Sequence, residues 1–254
     1  MREKIIKIIK FFAGLFLLLL LWQLLVFVFK TPEYLLPTPL EILKSLIRSR
    51  ALLWQEAWPT VLETLLGLLV GVSLGFCFAL LMSISSVFKM TFWPLILISQ
   101  AIPTIALAPL FIIWLDYGLS SKIATAAVAL FFPVASILLD ALDQTPKAYL
   151  DLAQSVGASR WAIWWHLRLP AALPAFASGV KMSAVWAPMA AVVGEWVGSS
   201  QGLGYLMLQA NAKLDLPLMF ASLIVLIIFA LLLYFLVHGC VKIFLPWQSE
   251  ILKR

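Results

Sequence analysis

Long uninterrupted apolar runs separated by short polar stretches organise the chain, and none of the runs shows the strict alternation of a half-buried strand. A helix needs roughly 20 apolar residues to cross the hydrocarbon core of a bilayer. Stretches of that kind can be drawn at 8–29, 60–83, 92–115, 123–139, 171–197 and 217–244. Helices are expected rather than a barrel, because the runs are continuous and a helix satisfies every backbone group internally. The pattern therefore predicts an all-α membrane protein of about six transmembrane helices.

The polar breaks set the organisation. Residues 1–59 form a first span followed by a segment, PTPLEILKSLIRSRALLWQ, whose apolar positions recur at helical spacing, as in a short amphipathic helix on a membrane surface. Residues 60–254 form the remaining bundle. With the N-terminus inside, eleven Lys and Arg fall in inner segments and six, Lys122 among them, in outer ones, with Lys181 inside span 5. The bias favours a cytoplasmic N-terminus. The stretch between spans 4 and 5, residues 151–170, then also lies on the cytoplasmic side.

Composition sharpens this picture. Hydrophobic residues make up 63% of the chain and charged ones 12%, and a mean hydropathy of +1.04 is far above that of an average soluble domain. The net charge of +6 comes from bases at the ends of apolar segments. That placement suits anionic lipid rather than nucleic acid. Cys77 and Cys240 lie in apolar runs, and neither a disulfide framework nor metal-ligand spacing is present. The N-terminal run has a basic flank but no small-residue cleavage site, and reads as an uncleaved first span.

The segment DLAQSVGASRWAIWWHLRLP, residues 151–170, is unusually polar for this chain. Residues 149–156 favour a short helix, Gly157 breaks it, and 158–167 favour a second one before Pro170 opens span 5. Trp161, Trp164, Trp165 and Arg168 fall on one face of the second helix. Two short helices meeting at a glycine suit a helix-in-groove contact with a soluble partner. An interfacial helix with tryptophans at headgroup level would carry the same face.

DLAQSVG, nine residues, then LRLP resembles the cytoplasmic loop of bacterial ABC importer membrane subunits, with its pattern Glu-Ala-Ala, three residues, Gly, nine residues, Ile, any residue, Leu-Pro. Ala153, Gly157, Leu169 and Pro170 match directly, while Asp151 stands for Glu, Leu152 for Ala and Leu167 for Ile. AIPTIALAPLFIIWLDYGLSSK (101–122) and GEWVGSSQGLGYLM (194–207) are similar to the permease branch serving nitrate, sulfonate, taurine and pyrimidine-precursor importers. GLGYLMLQANAKLDLPLMFASL looks most like permeases for the hydroxymethylpyrimidine precursor of thiamine. The resemblance implies a coupling helix that docks on a separate ATP-binding subunit, with Asp151, Ala153, Gly157, Ala158, Arg160, Leu169 and Pro170 in the contact. It further implies a homodimer of this permease with two ATPase subunits that bind ATP-Mg, an extracytoplasmic solute-binding protein, and a place in the bacterial inner membrane.

Candidate pathway residues come from chemistry inside the spans. Pro103, Pro109, Pro133 and Pro188 each lack a backbone donor, and Pro188 leaves the carbonyl of Ala184 free. Span 5 is dense in Ala, Gly and Ser, which suits a central, closely packed helix. Glu63, Lys181 and Glu195 are ionisable residues in or near spans. Glu63 and Glu195 sit near outer ends, where a side chain can reach water. Trp186, about one turn beyond Lys181, could stack on a planar ring. Pro103, Lys181, Trp186, Pro188 and Glu195 are thus the pathway candidates.

The sequence has no GxxxxGK[ST] loop, so by that device it does not cradle ATP, and no HExxH or kinase signature. A non-catalytic subunit without a cofactor or metal of its own is expected. A secondary transporter would be expected to show inverted repeats and mid-span acids, and none is evident. An anion pathway would carry bases along it, and apart from Lys181 the spans carry none. That favours a neutral or weakly charged planar solute, and the resemblance implies a thiamine pyrimidine precursor rather than sulfonate, taurine or nitrate.

Overall fold

The computed structural model describes residues 2–247, with side chains described from residue 13 onward except at Leu15. The described residues contain helices and no strands. In chain order these are α1 (Arg2–Phe29), α2 (Pro39–Arg48), α3 (Arg50–Ile84), α4 (Ser86–Ala101), α5 (Thr104–Leu115), α6 (Leu119–Asp143), α7 (Lys147–Ser155), α8 (Arg160–Ile163), a π-helical turn (Trp164–Arg168), α9 (Leu169–Gly198), α10 (Leu203–Ala212) and α11 (Leu216–Phe244). The rod formed by α8, the π-turn and α9, together with α3, α6 and α11, supplies four helices long and apolar enough to cross a membrane.

The third expected span is not a single helix. α4 and α5 meet at 105° around Ile102 and Pro103. A residue before proline is pushed out of the helical region, and Ile102 is extended at φ −87°, ψ 119°. Pro103 has no N–H with which to continue the ladder, so the apolar run 92–115 becomes a broken span. The amphipathic stretch also divides. Thr38 and Glu41 cap each other reciprocally at the start of α2, with the Glu41 N–H donating to Thr38 Oγ1 at 3.2 Å and the Thr38 N–H to Glu41 Oε2 at 2.6 Å. Residues from Arg50 onward join α3 instead.

α3 packs along α6, α6 along α9, and α11 against α9. The α3–α6 contact is a glycine seam. Gly67, Gly71 and Gly75 recur every fourth residue and face Ala126, Ala127 and Phe131. A Cβ at Gly71 would lie 2.8 Å from the Ala127 carbonyl and one at Gly75 2.8 Å from that of Phe131. Only backbone approaching backbone fits there. α9 is the central helix expected from its small residues: half of its apolar stretch is buried, against 22% for α11. Ala184, Ala187 and Ala190 form the core with Leu68, Ala126, Leu130 and Leu233.

Candidate coupling surface and translocation site

At one end of the bundle the chain leaves α6, forms α7, and returns through α8. α7 closes with paired reverse-turn hydrogen bonds: the Gly157 N–H donates to the Gln154 carbonyl at 2.9 Å and the Ala158 N–H to the Ala153 carbonyl at 3.0 Å. This closure needs a left-handed residue after the cap, and Gly157 supplies φ +78°. Ser159 then caps α8 by accepting from the Ala162 N–H at 3.1 Å. The predicted glycine joint is thus present. Tyr149, Leu152 and Val156 are 58%, 64% and 76% exposed, and their spacing places them on one face of α7. Asp151 and Arg160 are exposed, Ala153, Ala158 and Pro170 half-buried, and Leu169 buried.

α8 runs into α9 without a break. Pro170 has no N–H for the His166 carbonyl, and the ladder slips so that the Leu169 N–H bonds the Trp164 carbonyl. The π-turn gathers the tryptophans. Trp161 stacks on Trp164 with ring centroids 5.6 Å apart, and Trp165 meets both edge-on. Trp164 Nε1 donates to Ser83 Oγ at 3.1 Å, tying the turn to the end of α3. A cavity of about 420 Å³ lies between them, lined by Ser83, Ile84, Leu150, Gln154, Trp161, Trp164 and the two arginines Arg160 and Arg168.

At the opposite end sits a buried polar network. Glu63 is 1% exposed and Glu195 1% exposed, so neither reaches water as their positions near span ends suggested. Lys122, expected in an outer loop, lies inside α6 and pairs with Glu63 Oε1 at 3.0 Å. Lys122 Nζ also donates to Ser199 Oγ at 2.7 Å. Glu195 Oε1 accepts from Thr60 Oγ1, and Oε2 from the Gly204 N–H, each at 2.5 Å. The Leu203 N–H donates to Thr60 Oγ1 at 2.8 Å and the Gly202 N–H to Glu56 Oε2 at 2.6 Å. Three amides at the start of α10, which a helix cannot satisfy internally, are thereby held by Glu56, Thr60 and Glu195. Gly202, at φ +113°, leaves room where a Cβ would fall on the Glu195 carboxylate.

A third feature lies between these ends. A cavity of about 400 Å³ is bounded by Thr104, Pro133, Met182, Ser183, Trp186 and Met189. Ser183 is 1% exposed, and its hydroxyl has no hydrogen-bond partner among the described residues. Of the pathway candidates, Trp186 lines this cavity, and Pro103 adjoins Thr104 at its rim. Lys181 is half-buried and Pro188 is on the buried face of α9. Glu195 does not line the cavity; it belongs to the α10 network. The sequence reading missed the Glu63–Lys122 pair, the capping of α10, the glycine seam and Ser183. Its available signals were Glu56, Thr60 and Glu63 on one helical face and three glycines four apart.

Residues 47–250 match the family model described as the binding-protein-dependent transport system inner membrane component. The chain is 46% identical over 218 residues to a probable ABC transporter permease protein of Haemophilus influenzae, covering 86% of this chain and 89% of the relative. It is 31% identical over 235 residues to a formylaminopyrimidine transport permease of Halalkalibacterium halodurans, covering 92% and 94%. Its fold matches a chain of the inward-facing MetNI methionine ABC transporter with a TM-score of 0.67 and 21% identity, over 77% of this chain and 97% of the other. With helices, loop and family match in agreement, the chain belongs to the binding-protein-dependent inner membrane components, the permease subunits of ABC importers.

Proposed function

We propose that two copies of this chain enclose a pathway for a thiamine pyrimidine precursor, and that α7 docks each copy on an ATPase subunit. The observation that carries the docking is the exposed apolar row Tyr149, Leu152 and Val156, ending at the glycine joint. A helix presenting such a row fits a groove on a soluble partner. The N-terminus and α7 lie on the cytoplasmic side in this reading. ATP-Mg bound by the paired ATPases draws the two α7 helices together, and the continuous rod from α8 through α9 carries that motion to the spans. An extracytoplasmic binding protein delivers the solute to the α10 end. In this arrangement Asp151, Ala153, Gly157, Ala158, Arg160, Leu169 and Pro170 shape the coupling contact, while Trp186, with Pro103, Lys181 and Pro188 nearby, borders the pathway.

The pyrimidine assignment draws support from the relative named for formylaminopyrimidine transport and from the cavity, where Trp186 offers a ring face and Ser183 a hydroxyl. Among the described residues no Lys or Arg, which an anionic sulfonate would favour, lines that cavity.

Two measurements test the reading. Leu152→Asp is expected to abolish co-purification of the ATPase while leaving the permease folded; a complex of normal composition refutes the docking. Cells carrying the transporter should take up labelled hydroxymethylpyrimidine in an ATP-dependent way with no competition from taurine; the reverse preference refutes the solute.

A further inference from the structure

The cavity between the end of α3, α7 and the π-turn is separate from both the exposed row of α7 and the central cavity. Leu150 and Gln154 line it, and they lie on the side of α7 turned away from Tyr149, Leu152 and Val156. Among the described residues its charged lining consists of Arg160 and Arg168, with no acid. Neither arginine has an ion-pair or hydrogen-bond partner among the described residues. Arg168 is half-buried and Arg160 exposed, and both line the cavity. A planar guanidinium with unused donors matches the oxygens of a phosphate in a bidentate fork. Gln154, also in the lining, adds an amide donor.

The surroundings indicate what carries the phosphate. Ile84 lines the cavity and is 50% exposed, and its neighbours Leu81 and Val87 are 48% and 75% exposed. Leu81 and Ile84 on the last turn of α3 and Val87 on the first turn of α4 thus leave exposed apolar side chains at the α3–α4 junction, beside the basic cavity. Trp161, in the cavity lining, and Trp165, edge-on to it, are 57% and 46% exposed, as tryptophans are at headgroup depth. A basic cavity, an interfacial aromatic rim and an apolar exit form a set that fits one molecule, an anionic phospholipid.

We infer that Arg160 and Arg168 hold the phosphate of one anionic phospholipid per chain, with its glycerophosphate head in this cavity and an acyl chain along Leu81, Ile84 and Val87. The lipid wedges α7 and the π-turn against the end of α3, on the side of α7 opposite the row Tyr149, Leu152 and Val156, so Arg160 shapes the coupling contact indirectly, through the lipid it holds. The leaflet it comes from rests on the placement of α7 proposed above, but the binding chemistry does not.

The test is native mass spectrometry of the full-length chain, purified with its ATPase and exposed to phosphatidylglycerol or phosphatidylcholine of identical acyl chains. One phosphatidylglycerol per chain should survive dilution that strips phosphatidylcholine. Arg168→Gln should lower its retention about tenfold or more, because a charge-assisted contact is lost. Arg168→Lys should retain an intermediate amount, keeping charge without the fork. Equal retention of both lipids, or unchanged retention in both Arg168 variants, overturns the site. Complete displacement of phosphatidylglycerol by millimolar inorganic phosphate overturns the lipid assignment in favour of a free-anion site. Labelling of a Ser155→Cys variant in sealed vesicles reports sidedness separately, so an error in the placement of α7 is distinguishable from failure of the lipid site.

Discussion

Replacing Lys122 with Met tests the reasoning about the buried network directly. The Lys122 ammonium lies 3.0 Å from Glu63 Oε1, with side chains 8% and 1% exposed. Attraction at that separation is about 5 kcal/mol at an effective dielectric near 20, before the cost of removing both charges from water. That cost offsets much of it, so the intact pair contributes little net stability. Removing one partner is different. Glu63 Oε2 already has no hydrogen-bond partner among the described residues, and Lys122→Met strands the whole carboxylate. We expect a loss of about 3–5 kcal/mol, partly relieved if the carboxyl takes up a proton. Glu63→Leu combined with Lys122→Met should recover most of that loss, since an apolar pair needs no compensation. Ser199→Ala serves as the control for the second Lys122 contact, expected to cost about 1 kcal/mol. The assay is denaturant-driven unfolding of the purified chain in lipid discs, with the parent and the three variants side by side. If Lys122→Met is as stable as the parent, or the double variant is less stable than the single one, the pair is not a buried interdependent unit and the argument fails.

Gly157→Ala meets no atom within 4 Å, yet its φ of +78° should cost about 1–2 kcal/mol at the end of α7; reduced solute-stimulated ATP hydrolysis at unchanged expression would show it. Gly202→Ala combines a positive φ with a Cβ placed on the Glu195 carboxylate, and should destabilise the α10 end by more than Gly157→Ala does, read as faster proteolysis of the loop at 199–202. Lys89→Ala removes an ion pair to Asp143 at 2.5 Å whose side chains are 38% and 41% exposed; water screening should hold the change within about 1 kcal/mol in the same unfolding assay.

Apolar run length alone determined that this chain is a helical membrane protein, because the bilayer imposes both the length and the internal hydrogen bonding of each span. The loop at 151–170 was equally legible: glycine is needed where the chain turns left-handed, and Pro170 cannot extend the ladder behind it. The small residues of span 5 likewise gave its central position. Other features depended on which helices meet. Nothing local to Lys122 distinguishes a base in a loop from one buried against Glu63, since the partner is far away in sequence and burial is a property of the packed pair. Glu195 looked free to reach solvent until α10 folded over it and supplied the Gly204 amide. The bend at Pro103 could be anticipated as a kink, but its 105° extent was set by the packing of α5 against α6 and α9. Periodicity reports which residues share a face; only tertiary packing decides what that face meets, and hence whether a charge there is hydrated, paired or left to hold a ligand.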